Sequence, residues 1–346
     1  MSPAPPGAAS GSRTLHPGSE GGEVRDLQER LRDLGFTIAD PDAQYGSATE
    51  SAVRAFQTLR GIRVDGLCGV ETWTTLRESG YRLGDRLLCA RQPMLRGDDV
   101  GALQARLNAL GFDAGKQDAI FGPDTERALV DFQRNAGITA DGICGPETID
   151  TIERLGTRAG GAVVGARERD ALRDPQDLAG RRVYVTSAPE LAPLAHHLVD
   201  GLSAAGATAV ADTEARDESG FARAANDFGA HLFVAIRPRS AAERHLEGGA
   251  AACRCCYYAS GSFRSEAGYA IAAAVAARVG LALGGTGAAC GRAYTVLRET
   301  HMTAVVCEPA VEGDDVAIAR LVATPMVTSD AVVAAIRDVL ERPASS

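Results

Sequence analysis

Two hydrophobic rhythms divide this chain. Between residues 20 and 155, apolar residues recur at steps of three and four, the period of an amphipathic helix. Val24, Leu27, Leu31 and Leu34 fall on one face of a first helix, and Gly35 suits the left-handed position after its end. A second helix opens near Gly46 and buries Ala52, Val53 and Phe56; a short third opens over Gly69–Thr72. The pattern then returns without insertion. Val24 becomes Val100, Phe56-Gln57 becomes Phe132-Gln133, and Asp65-Gly66-x-Cys68-Gly69 becomes Asp141-Gly142-x-Cys144-Gly145, a constant step of 76 residues. In the second copy Pro123 occupies a first-turn position, Ala128, Leu129 and Phe132 form the buried face, and Gly145-Pro146-Glu147-Thr148 opens the third helix. Arg77–Leu95 carries the chain from one copy to the next.

Thr157–Gly180 is rich in Gly, Ala and Arg and reads as a linker. Beyond it the rhythm changes to short apolar runs separated by helical stretches. Strands are expected at Arg182–Thr186, Thr208–Ala211, Leu232–Arg237, Ala252–Ala259, Tyr294–Leu297 and Ala304–Glu308. Helices are expected at Leu191–Ala205, Gly220–Phe228, Ser265–Val279 and Ser329–Glu341. This alternation implies a three-layer α/β domain. Its centre is Leu232–Arg239, LFVAIRPR, a continuous apolar run of the kind that makes a buried parallel strand. Open α/β sheets bind ligands at the carboxyl ends of such strands, so Arg237 stands at the edge where chemistry is done.

The fold expected is therefore multidomain: two small three-helix all-α modules, then a three-layer α/β domain. The divisions are an arm at 1–19, modules at 20–78 and 96–155, a linker at 157–180 and the α/β domain at 181–342. Composition narrows the rest. A net charge of −9 argues against nucleic acid as a partner. No run is apolar enough to span a bilayer. Met1–Ser19 lacks the apolar centre of a signal peptide and reads as a disordered arm on a cytoplasmic protein. The eight cysteines include no C-x-x-C pair. Cys253-x-Cys255-Cys256 invites a metal, but neighbouring strand residues alternate faces, so free thiols packed as small apolar groups are expected.

The repeat V-x-x-L-Q-x-R-L-x-x-L-G-F, followed by D-G-x-x-G-x-x-T, resembles the peptidoglycan-binding type 1 module in both copies. The α/β half resembles the zinc-dependent N-acetylmuramoyl-L-alanine amidase domain of type 3. That second resemblance rests on Arg223-x-x-Asn226, Cys256-Tyr257-Tyr258, Ser265-x-x-Gly268, Val296-Leu297-Arg298-x-Thr300-x-Met302 and Val305-Val306-x-Glu308. Two modules before such a domain look most like the actinobacterial CwlM type. The resemblance implies a zinc held by His, Glu and His, with a further Glu as base. Here Pro189 stands near the first His position, Glu190 at the Glu position, Arg237 at the second His position and Glu308 at the base. Proline offers no side-chain lone pair, and arginine has five donors and no acceptor. The metal positions Pro189, Glu190 and Arg237 and the catalytic position Glu308 thus read as vestigial, with no cofactor expected. His196, His197, His231, His245, His301 and His16 show no spacing that rebuilds a site.

Three functions follow from the resemblance. The first is a non-catalytic protein of cell-wall metabolism that binds peptidoglycan, a muropeptide or an enzyme of precursor synthesis. The second is an active zinc amidase with relocated ligands. The third is a protein-interaction scaffold. A further expectation concerns Arg237: it replaces the metal's charge by pairing with Glu308 and Glu190.

Overall fold

The computed structural model describes residues 14–156, 178–214, 216–245, 251–260 and 263–341. The chain forms two compact units, Met1–Gly80 and Tyr81–Ser346.

The first unit holds α1 (Gly22–Asp33), α2 (Ser47–Arg60) and α3 (Val70–Glu78). Val24, Leu27, Leu31, Val53 and Phe56 form its core, and Phe36 meets Phe56 edge-on. A buried glutamine holds each turn. Gln57 Nε2 donates to Asp65 Oδ1 (2.8 Å), to the Leu67 carbonyl (3.0 Å) and to Thr72 Oγ1 (3.0 Å), while its Oε1 accepts from Gly66 N (2.9 Å). The boundary expected at residue 19 is corrected. Leu15 is buried and pairs with Cys68 through two backbone hydrogen bonds of 3.1 and 2.9 Å. One apolar residue in a Pro/Gly-rich stretch has no period to betray it. The remaining arm, 1–13, lies outside the described residues.

The second unit begins with the second copy: α4 (Asp98–Ala109), α5 (Pro123–Ala136) and α6 (Pro146–Gly156). Leu88 pairs with Cys144 as Leu15 does with Cys68. The stretch between copies is thus part of the second core rather than a plain connection. Most of the expected linker, 157–177, lies outside the described residues. Leu178 is already buried in the α/β core, and Gly180 N donates to the Gly206 carbonyl at 3.1 Å.

The α/β part comprises β1 (Arg182–Ser187), a 3-10 turn at Pro189–Leu191, α7 (Ala192–Ala204), β2 (Thr208–Asp212), α8 (Glu218–Phe228), β3 (Leu232–Ile236), β4 (Cys253–Ser260), β5 (Phe263–Arg264), α9 (Glu266–Ala282), β6 (Gly287–Arg292), α10 (Thr295–Glu299), β7 (Thr303–Glu308), α11 (Asp315–Ala323) and α12 (Pro325–Leu340). The sheet order is β2-β1-β3-β7-β4-β5, with β6 also on β4. β2, β1, β3 and β7 are parallel; β4 opposes β7, and β6 runs parallel to β4. One sheet face packs on α7, α9, α11 and α12 through Leu194, Ile271, Leu321 and Ile336. The other packs on α8 and α10 through Ala222, Ala225, Val296 and Leu297. These are the three layers.

One expected strand fails, and one strand was not foreseen. Tyr294–Leu297 is not a strand: Tyr294 precedes α10, whose first turn packs on the sheet beside α8. Its β-branched and aromatic residues favour strand locally, and tertiary packing overrides them. The strand in that region is β6, GAACGR, whose small residues hide it. They are required by packing: a Cβ on Gly287 would lie 1.7 Å from the Ala276 carbonyl oxygen in α9, and one on Gly280 would lie 2.4 Å from Gly287 N. All eight cysteines are free. Cys253 and Cys255 face one layer and Cys256 the other. Among the described residues no single helix is long and apolar enough to cross a membrane; α11 and α12 pass only as a pair bent by 78°.

Candidate functional site

The carboxyl ends of β3 and β7 and the adjoining end of β4 converge on one charged cluster. Alternation along each strand puts Arg237, Glu308 and Arg254 on the α8/α10 face, because Phe233, Ala235, Val306 and Cys256 face that layer. Arg254 is opposite Glu308 in the β4–β7 register. It is fully buried (0% exposed), as are Glu243 and Glu308 (1% each).

Both oxygens of Glu308 are engaged. Arg254 Nε donates to Oε2 at 2.6 Å, and Arg237 Nε reaches Oε1 at 3.4 Å. Arg254 Nη2 also donates to Glu243 and, at 3.2 Å, to the Tyr294 hydroxyl. Arg237 Nη1 pairs with Glu218, and its guanidinium lies 4.3 Å from the centre of the Tyr294 ring. Glu218 uses its other oxygen to accept from Val296 N at 3.0 Å. Cys256 Sγ lies 3.6 Å from Glu308 Oε2. Only the rim reaches solvent, through Arg237 (16% exposed) and Glu218 (25%).

The electrostatics fix the protonation states. Burial alone would lower the Arg254 pKa, but the Glu308 carboxylate bonded to its Nε outweighs it and holds the guanidinium above its ordinary value. Burial, reinforced by Glu308, pushes the Tyr294 hydroxyl far up. Burial and the adjacent Glu308 do the same to the Cys256 thiol. Arg254 is thus a permanent cation, and Tyr294 and Cys256 are neutral. Two guanidiniums meet three carboxylates in a largely buried site, where removing one partner strands another.

Of the positions singled out in the sequence, Arg237 and Glu308 come together as expected. Glu190 does not join them: it is exposed on the 3-10 turn with Pro189, and Arg237 pairs with Glu218 instead. The substitution works because Glu218 opens α8 directly over the end of β3. Glu218, Glu243, Arg254 and Tyr294 were missed. Arg254 left one sign, a lone charge inside the apolar run Ala251–Ala259. Asn226, part of the resemblance, braces α10: its amide donates to the Glu299 carbonyl and accepts from His301 N, both at 2.9 Å.

A zinc ion does not fit this donor set. Arg237 offers only hydrogen-bond donors where the second His would stand, Pro189 offers no side-chain lone pair, and Glu308 already holds two cations. Among the described residues no group of three or more His, Cys, Asp or Glu side chains is placed to hold a metal. His196 and His197 are exposed on α7, and His231 Nδ1 accepts from Arg182 N at 3.1 Å.

The sequence profile of a peptidoglycan binding domain matches residues 20–76 and 96–152. Over 165 residues, 46% of this chain, it is 43% identical to the N-acetylmuramoyl-L-alanine amidase CwlM of Mycobacterium tuberculosis. The chain has a CwlM-like architecture. It carries two peptidoglycan-binding modules followed by an amidase-like α/β domain. The likeness spans only 40% of CwlM's own length. The chain is also 32% identical over 163 residues to the N-acetylmuramoyl-L-alanine amidase CwlL of Bacillus licheniformis, covering 41% of this chain and 45% of that one. Among solved structures, the amidase AmiC2 of Nostoc punctiforme aligns with 47% of this chain and 99% of its own at 18% identity and a TM-score of 0.39. Ami1 from Mycobacterium smegmatis aligns with 48% and 99% at 13% identity and a TM-score of 0.36.

Proposed function

We propose that this CwlM-like chain is a non-catalytic binding or regulatory protein of cell-wall metabolism built on an amidase scaffold. One observation carries the reading: Glu308, at the position of the catalytic base, gives both oxygens to guanidiniums. A carboxylate with both oxygens so occupied has neither aimed at a substrate water, and no donor beside it suits a metal that would activate water. The two modules support a peptidoglycan or muropeptide ligand. An enzyme of precursor synthesis is the alternative partner. The free cysteines suit a reducing compartment, and the reading places the protein in the cytoplasm.

The test is elemental analysis of the purified full chain, with an assay for release of alanine-linked peptide from muramic acid. Substoichiometric zinc and no chelator-sensitive hydrolysis are expected. One zinc per chain with such hydrolysis makes it a working amidase and ends the proposal. Sedimentation with purified peptidoglycan tests the binding half, and its failure leaves the precursor enzyme as the partner to capture.

A further inference from the structure

Helix α10 is only Thr295–Glu299, yet it is tied at both ends to charged groups from elsewhere. Its leading end belongs to the buried cluster. Tyr294, directly before it, puts its ring under Arg237 and its hydroxyl against Arg254, and Val296 N donates to Glu218 at 3.0 Å. Its trailing end is the seat of the second module. Lys116 Nζ donates to the carbonyls of Leu297 and Thr300, the latter at 3.2 Å, where the helix dipole favours a cation. The same ammonium lies 4.4 Å from the centre of the Tyr258 ring, and the Tyr258 hydroxyl donates to the Gln117 carbonyl at 2.6 Å. Arg96 pairs with Glu299. The seat is therefore made chiefly of charge-assisted polar contacts, the kind of interdomain surface that opens and closes.

The first module is an internal control. At the 76-residue step, Glu20 stands where Arg96 does, Asp40 where Lys116 does and Pro41 where Gln117 does. Both cations of the seat become carboxylates. A module with those charges would repel Glu299 and the carbonyl end of α10. The copies share a core, but only the second has the chemistry to sit on this helix.

We propose that α10 is a relay: seating of the second module on its carboxyl end holds Tyr294 and Glu218 in the buried cluster, so release of that module loosens the solvent-facing Arg237–Glu218 rim. The regulated element is the only part of the old catalytic edge that reaches solvent among the cluster residues. The inference rests on the contacts of α10 and stands whether or not the domain retains hydrolysis.

The experiment is amide hydrogen exchange on the full chain, comparing wild type with Arg96→Glu/Lys116→Asp, which gives the second module the first module's charges. Exchange is expected to rise at least tenfold over residues 114–120 and 295–301, and also over 218–222 and 237–243, which the substituted residues do not touch. Glu20→Arg in the first module is the control and leaves all four segments unchanged. Because binding energies couple reciprocally, Glu218→Gln must also raise exchange over 114–120. If the double variant does not fold, Lys116→Met, which keeps an apolar stem on the Tyr258 ring, gives the same readout. Faster exchange at 114–120 and 295–301 with 218–222 and 237–243 at the wild-type rate overturns the relay, as does Glu218→Gln without effect on 114–120.

Discussion

The two modules share an apolar core and differ around it: Asp99 and Asn108 are buried in the second, where Glu23 is exposed and Arg32 half-buried in the first. Gln133 repeats four bonds of Gln57, to Asp141 Oδ1 (3.0 Å), the Ile143 carbonyl (3.0 Å), Thr148 Oγ1 (3.2 Å) and Gly142 N (2.9 Å). Gln104 and Gln28 likewise share a threonine hydroxyl and an alanine N–H one repeat apart. The loop before the second helix then diverges. In the first copy Asp40 accepts from Thr49 N at 2.6 Å and Ala48 N at 3.3 Å, capping α2, and Asp42 is 66% exposed. In the second, Lys116 leaves for α10, and Asp118 accepts from Gln104 and Ile120 N beneath it. Duplicated cores keep a fold; a few surface charges decide where each copy goes. A shared sequence profile therefore does not make two modules interchangeable.

That comparison can be broken at several points. The largest effect is expected in the second unit. Arg254→Met leaves Glu243 and Glu308 buried without their cation and should destabilise that unit by about 3–5 kcal/mol. Trp73, the chain's one tryptophan, sits in the first unit. Its fluorescence melt should not move while the circular-dichroism melt of the rest falls. Movement of both would mean that the units unfold together.

Next come Gln57→Ala and Gln133→Ala, each expected to cost about 1–3 kcal/mol, because each leaves buried turn groups unpaired. Equal losses in denaturant melts sharpen the equivalence of the two cores, and a large inequality removes it. Asp40→Ala should cost the first unit about 1 kcal/mol through a lost helix cap. The smallest effect concerns pH. Burial raises the Asp118 pKa above its ordinary value, against hydrogen bonds from Gln104 and Ile120 and the charges of Lys116 and Arg298. A carboxyl raised on folding favours the folded state below its unfolded pKa, and that contribution is lost as pH rises through the raised value. Asp118→Asn should flatten this fall in stability of the second unit with rising pH, and an unchanged profile would clear Asp118 of the role.

The helices of both modules were legible because a 3.6-residue period and a repeat reinforce each other. Leu15 and Leu88 were not, since a single residue held by backbone pairing has no period. In the α/β part, branched runs such as LFVAI announced β3, whereas β6 is built from glycine and alanine and announced nothing. The site was half legible. Arg237 and Glu308 stood at motif positions, and their pairing followed from the cost of an uncompensated carboxylate. Arg254, Glu243, Glu218 and Tyr294 come from four separate segments, and no spacing relates them. Glu190 holds the ligand position that the resemblance implies, and sequence order carries no information that Glu218 is the helix start overhanging β3.

The backbone contact between α9 and β6 has a consequence for how the protein behaves in crowded solution. Among the described residues β6 pairs only with β4, so it is the outermost rung on that flank of the sheet. Gly280 and Gly287 let it lie against α9 with no side chain between. A single methyl at Gly287 would lever β6 away and uncover the β4 ladder, a ready template for another chain. Light scattering of Gly287→Ala should therefore show self-association before any loss of helix. Two absent side chains keep this sheet from becoming adhesive.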